Sequence, residues 1–422
     1  MLAQTTEPQT LPPDTTEPSS SNATLINAPL NLPTLPALNA VCAPAALAVT
    51  LRNVKHTVAA RTTLPALKCA LLSTTPQTDQ TDGVGQLSVS TSRLDATSSA
   101  WLAARVNSPG SIAVPFDTLS ELIAHLPQNA TVNFEVDAAL QTLRVRCDDI
   151  VTNIKGLSAT EFPQPPAWET GAQIELAGKE FKGLMRQVVY AAAVDDSRPV
   201  LTGILFELNP NGLAFAAADG FRLSLRALEA ATGVQTAQRV IVPAQALRDF
   251  EKIVAEDAVV TLAVNASKTH AQFTMPNYRL VVSLIEGNFP DYRQIVPTTH
   301  ATRVVMDAGA FGAAVDLAMI FAKQSHNLVI LDVQPGENEN AGLLRITARS
   351  AEGGDTVRAL AAAVNGPAQR IGLNGKFVKE FVASVSAPQI VLQCSTAASP
   401  VLFGEVANSG YKHVLMPMHI TK

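Results

Sequence analysis

The sequence predicts an α+β protein built as three similar domains, each of helices packed on antiparallel sheets. Three observations predict it. A strand–turn–strand pattern recurs at "QLSVSTSRLDATSSAWLAARV" (from Gln86), "LAFAAADGFRLSLRAL" (from Leu213) and "LRITARSAEGGDTVRAL" (from Leu344), at spacings of 126 and 131 residues. An amphipathic helical pattern follows each hairpin, and another precedes it. Three elements returning in the same order at the same offset mark a repeat of whole domains.

Each unit starts with a helix that runs into an apolar strand. The copies are "PAALAVTLRNVKHTV" then "LPALKCALL", "GKEFKGLMRQVVYAAAV" then "VLTGILFEL", and "AGAFGAAVDLAMIFAKQ" then "LVILDV". Apolar residues returning every three or four positions give the helices, and short apolar runs give the strands. The hairpin comes next, alternating with period two around a polar turn. The second helix reads "AVPFDTLSELIAHLP", "IVPAQALRDFEKIVA" and "GLNGKFVKEFVASVS". Two copies open with Val-Pro, and proline suits a first helical turn. The resulting divisions are a Thr/Pro-rich tail over 1–40, disordered by its composition, and domains over 41–166, 167–297 and 298–422.

Composition agrees with several domains, because single cores rarely grow past about 250–300 residues and this chain has 422, 47% of them apolar. The N-terminus lacks a basic and an apolar region, so it is not a secretory signal, and no apolar run is long enough for a membrane span. Cys42, Cys69, Cys147 and Cys394 lie far apart without a CxxC pair. That spacing points to reduced thiols in a cytoplasmic protein and away from zinc. Net charge is −5, of which Glu7, Asp14 and Glu17 supply −3 before residue 41.

Basic side chains fall on the helix faces away from the apolar stripes. They are Arg52 and Lys55, then Lys179, Lys182, Arg186, Arg248 and Lys252, then Lys323, Lys376 and Lys379. Acids accompany them (Asp117, Glu121, Glu180, Asp249, Glu251, Glu380), so two readings stand: ordinary solvated faces, or phosphate contacts without base readout. Aromatic residues make up only 5% of the chain, which disfavours a stacking platform for single strands.

Catalytic motifs are missing: there is no GxxxxGK[ST], HExxH or GxSxG, and "DGVGQ" reads as a turn. No cofactor and no metal is expected. The ending "HVLMPMHITK" leaves a question. Pro417 must end any strand that Val414 and Leu415 begin, and the methionines could be core or a surface kept for a partner.

Two segments are more specific. "SLIEGNFPDYRQIVP" (283–297) and "AAADGFRLSLR" (216–226) resemble signature stretches of the bacterial DNA polymerase III β subunit family, the sliding clamps. "RTTLPALKCALL" (61–72), "RPVLTGILFEL" (198–208) and "VLMPMHI" are similar to the same family, in register from about residue 41 onward. The resemblance implies a non-catalytic processivity factor: a homodimer closing head to tail into a six-domain ring around double-stranded DNA, with helices lining the hole. The basic residues above would then face DNA without sequence preference, joined by Arg61 and Arg198.

The resemblance also implies a pocket between domains two and three for short peptides of the replicative polymerase, the clamp loader and repair proteins. It carries over onto Leu201, Ala218, Gly220, Phe221, Arg222, Leu223, Pro290, Gln294 and Ile295, completed by Val414, Leu415, Met416, Pro417 and Met418. Phe221, Gln294 and His419 depart from the family's usual histidine, arginine and arginine, and Thr421-Lys422 extend its usual end. Those departures motivate an alternative, a paralogous scaffold for repair proteins; an unrecognised hydrolase or transferase is a third.

Overall fold

The computed structural model describes residues 38–76, 84–166, 168–230, 232–338 and 341–420. The expected N-terminal tail lies outside the described residues as far as position 37. Its last three positions do not behave as tail. Leu38 and Ala40 are fully buried, and Asn39 begins a strand whose alternate residues point inward. Ordered structure therefore begins ahead of the expected boundary at 41.

The first repeat runs β1 (Asn39–Cys42), α1 (Pro44–Val54), β2 (Cys69–Pro76), β3 (Val84–Arg93), β4 (Ala96–Ser108), β5 (Ser111–Pro115), α2 (Phe116–His125), β6 (Val132–Asp137), β7 (Thr142–Cys147) and β8 (Ile150–Lys155). The second runs β9 (Thr170–Ala177), α3 (Gly178–Val188), β10 (Gly203–Asn209), β11 (Gly212–Ala218), β12 (Arg222–Glu229), β13 (Gln238–Pro243), α4 (Ala244–Ile253), β14 (Val259–Asn265), β15 (His270–Met275) and β16 (Tyr278–Ser283). The third runs β17 (Thr302–Asp307), α5 (Ala308–Ala322), β18 (Leu328–Gln334), β19 (Gly342–Ser350), β20 (Gly354–Asn365), β21 (Gln369–Asn374), α6 (Gly375–Ser384), β22 (Gln389–Cys394), β23 (Val401–Glu405) and β24 (Asn408–Leu415).

Element order is the same in all three repeats. Two details differ from the sequence pattern. Each repeat opens on a strand (β1, β9, β17) that the helical periodicity did not separate from the preceding linker. Pro115 and Pro243 also sit one position before their helices, where they end β5 and β13 opposite Cys69 and Gly203. A proline there gives up no helical hydrogen bond and stops the ladder. Asn374 does the same job in the third repeat by accepting the Lys376 N–H.

Among the described residues all strand pairs are antiparallel, and they form two sheets of twelve strands each. Neither sheet stops at a repeat boundary. In the first, β4 pairs with β16, with Ala96 opposite Val282 and Ala100 opposite Tyr278. In the second, β12 pairs with β24, with Arg222 opposite Leu415 and Arg226 opposite Tyr411. Helices pack in pairs within each repeat, α1 on α2, α3 on α4 and α5 on α6. One apolar core runs through the first two repeats, where Phe181, Phe250 and Phe273 meet edge to face or tilted. A second fills the third repeat around Phe311, Phe381 and Phe403.

Candidate functional site

The seam between the second and third repeats carries its own apolar cluster. Leu201, Leu223 and Val414 are buried in it with Leu205, Ile241, Phe289 and Tyr292, and Ala218 packs against it. Leu223 and Val414 are cross-strand partners on β12 and β24, so one residue comes from each repeat. Around this floor stand exposed apolar side chains: Phe221 (67% exposed), Met416 (43%) and Ile295 (40%). Pro290 and Gln294 are exposed beside them, while Pro417 and Met418 are half-buried.

Local chemistry holds that rim open. Asp219 accepts the backbone N–H groups of Phe221 and Arg222 at 2.9 and 3.1 Å, a turn that aspartate favours. Gly220 supplies the φ of +93° it requires, and Phe221 is left at the tip. The C-terminal segment bridges the seam: Met416 N–H donates to the Phe221 carbonyl at 2.9 Å and Met418 N–H to the Gly372 carbonyl at 2.8 Å.

Two of the expected pocket residues are held inside the seam. Leu415 alternates away from Val414 along β24 and is buried in the core of the third repeat. Arg222 is also buried. Its Nε donates to Asp219 at 2.9 Å, one Nη to Glu380, and the other to the Tyr190 carbonyl at 2.7 Å; the guanidinium lies 4.3 Å over the Phe377 ring. It ties the second repeat to α6.

Beneath it lies a polar network with no signal in the sequence pattern. Tyr190 shares its hydroxyl with Tyr411 at 3.0 Å and with Nδ1 of His413 at 2.9 Å. The His413 ring stacks on Phe381 with its planes 7° apart. Burial, helped by the neighbouring Arg222 charge, pushes this imidazole down to about 3, so it is neutral near pH 7. Burial likewise raises the Tyr190 and Tyr411 hydroxyls, the latter to about 12.

The basic residues divide. Arg186 is a seam residue: it donates to the Ala383 carbonyl at 2.7 Å and to that of Val385 at 3.3 Å, capping the C-terminus of α6. Arg248 is half-buried and donates to the Val189 carbonyl at 2.9 Å. Arg186 stays exposed while it holds these carbonyls, and Arg248 is the more enclosed of the two. Lys252 pairs with Asp249 at 3.1 Å and Lys379 with Asp316 at 2.6 Å, both still exposed. Arg52, Lys55, Lys179, Lys323 and Lys376 are exposed on or beside α1, α3, α5 and α6, and Lys182 is half-buried. Arg61 is exposed in the loop before β2, and Arg198 comes within 3.7 Å of where a Cβ on Gly220 would lie. Arg198 thus sits beside the pocket turn.

Among the described residues no cluster of metal ligands occurs, and no helix is long and apolar enough to cross a membrane. Three like domains joined through shared sheets, with an apolar pocket at one seam, define a clamp architecture. Models of the N-terminal, central and C-terminal domains of the DNA polymerase III beta subunit match residues 38–166, 175–291 and 293–419. The chain belongs to that family, the beta sliding clamps, and is a non-catalytic processivity factor. It is 27% identical to the beta sliding clamp of Synechococcus elongatus over 90% of this chain and 99% of that one. To the Bacillus subtilis beta sliding clamp it is 26% identical over 74% of this chain and 81% of that one. The crystal structure of the DNA polymerase III subunit beta from Pseudomonas aeruginosa superposes with a TM-score of 0.83 at 25% identity, covering 90% of this chain and all of that one.

Proposed function

We propose that two copies of this cytoplasmic protein close head to tail into a ring around duplex DNA, and that the seam pocket docks short peptides of the replicative polymerase, clamp loader and repair proteins. The division into domains at 41–166, 167–297 and 298–422 serves this reading with its first boundary moved to 38.

One observation carries the ring. At both internal seams the fourth strand of one repeat pairs with the eighth strand of the next: β4 with β16, and β12 with β24. The strands left over are β20 of the third repeat and β8 of the first. Among the described residues β8 pairs only with β7, and the first half of β20 only with β19. Matching Leu102, Leu228 and Leu360 through their hairpin partners Leu87, Leu213 and Leu344 fixes a register. It sets Val357 of one chain opposite Val151 of the other. Both valines are exposed in the single chain, at 59% and 58%, and pairing would bury them together.

In the pocket, Leu201, Ala218, Gly220, Phe221, Leu223, Pro290, Gln294, Ile295, Val414, Met416, Pro417 and Met418 take the peptide, with Arg222 holding its wall. Exposed methionine beside phenylalanine suits several apolar anchors. Arg52, Lys55, Arg61, Lys179, Lys182, Arg198, Lys323 and Lys376 meet phosphates, with Lys252 and Lys379 contributing less because each already has a carboxylate, and Arg186 and Arg248 less because seam carbonyls hold them. Phe221 and Gln294 favour the second reading, a clamp for repair proteins alone.

The test is a size measurement followed by loading on nicked circular DNA. The ring predicts twice the chain mass of 44.5 kDa and retention that needs loader and ATP and ends when the circle is cut. Equal release from circular and linear DNA would overturn it. Binding of a peptide from the same organism's replicative polymerase, weakened about tenfold by Met416→Ala, separates the replicative clamp from the repair scaffold.

A further inference from the structure

Beyond the pocket floor, the face of the second sheet carries a groove of about 560 Å³. Strand register joins its floor, Leu225 and Leu402, to that of the pocket. Leu223, Val414 and Leu402 stand opposite one another on β12, β24 and β23, and share one face. Two residues along β12, on that same face, comes Leu225, opposite Lys412. The linker that follows β16 forms the wall, through Arg293, Val296 and His300. Leu225, Val296 and Leu402 belong both to the apolar cluster of the pocket and to the groove. Pocket and groove are one continuous surface.

Their charge differs. No aspartate or glutamate lines the groove. Lys412 stands in it without an ion-pair partner among the described residues. Arg293 shares the buried Glu207 carboxylate with Arg239, at 2.7 and 3.1 Å, and the Tyr292 hydroxyl donates to that carboxylate as well. Asp291 lies 3.9 Å from Arg293 as well, so this group is balanced and the uncompensated cation of the groove is Lys412.

Building on the pocket reading above, we propose that this groove receives an acidic segment of the same extended peptide whose apolar anchors fill the pocket. An extended chain advances about 3.3 Å per residue, so an aspartate or glutamate about two to four positions from the nearest anchor reaches Lys412. Apolar anchors then set affinity, and the acidic flank selects among partners.

Three labelled synthetic peptides test this by fluorescence anisotropy on the full chain. They share one apolar anchor sequence and carry no extension, an Asp-Glu-Asp extension or a Ser-Gly-Ser extension, at either end. The acidic extension at one end should tighten binding about fivefold. The gain should vanish in Lys412→Gln and fade between about 0.05 and about 0.5 M salt, while Met416→Ala weakens all three peptides. Lys412→Met, which keeps the aliphatic stem on the sheet and removes the charge, repeats the test should Lys412→Gln disturb the sheet. If the acidic peptide binds no tighter than the Ser-Gly-Ser one, yet both respond to Met416→Ala, the groove proposal fails and the pocket stands. If no peptide binds, both fail. If Lys412→Gln lowers retention on duplex DNA and leaves every peptide affinity unchanged, the face is a phosphate contact and the proposal is overturned.

Discussion

The Arg222 guanidinium donates to Asp219, Glu380 and the Tyr190 carbonyl while lying over Phe377, so its removal takes the counter-charge from two carboxylates and the donor from a carbonyl at the seam. Breaking one side of a buried pair costs several kcal/mol. Arg222→Ala should lower stability by about 3 kcal/mol in urea unfolding, whereas Met416→Ala, on the exposed rim, should shift it by less than about 0.5 kcal/mol. His413 adds a pH dependence. Its folded value of about 3 lies below the ordinary 6.5, so the unfolded chain takes up the proton first. Stability is therefore complete above about pH 6.5 and is lost as pH falls toward 3, by up to about 1.4 kcal/mol per unit. Urea midpoints at pH 7 and pH 5 should differ more for the native chain than for His413→Phe; equal differences would remove His413 from the account. Neither Arg222's burial nor His413's was legible beforehand, because each depends on side chains more than 150 residues away in sequence meeting across a seam.

Elements were the most readable level. Period-two and period-3.6 patterns located the hairpins and helices, since each buries one face. Of the opening strands, Asn39–Cys42 escaped because four residues are too few to show a period, whereas Thr170–Ala177 and Thr302–Asp307 run straight into their helices without a turn residue to part them. Strand register now makes a prediction of its own. Val357→Asp should convert the dimer to a single chain in sedimentation, because the charge would be buried against Val151 of the second copy. Adding Val151→Lys should restore part of the association through a cross-strand pair. Thr152→Lys, one position away and on the other face, should not. Rescue by both lysines alike would refute the register.

At the scale of the molecule, the net charge of −5 concealed where its cations sit. Arg186 and Arg248 looked like the unengaged lysines in sequence, but helix periodicity reports only distance from an apolar stripe. It says nothing of the carbonyls, such as those of Ala383 and Val189, that a neighbouring element brings within reach. Lys179→Glu and Lys323→Glu should each weaken retention on circular duplex DNA and lower the log–log salt slope by about one. Arg186→Ala should act chiefly on stability.

The paired strands at each seam also set an angle. A head-to-tail contact closes into a ring only when its successive rotations sum to a full circle; otherwise it winds into an open helix. With six like seams, each must turn the chain by about one sixth of a circle. The two seams inside the chain, one held by Arg222 and Arg186, therefore help decide whether β8 and β20 of two copies can meet at both ends at once. A substitution that bends the Arg222 seam without unfolding it should leave the outer edges intact yet unable to close, and such a chain should grow into short spirals in electron micrographs.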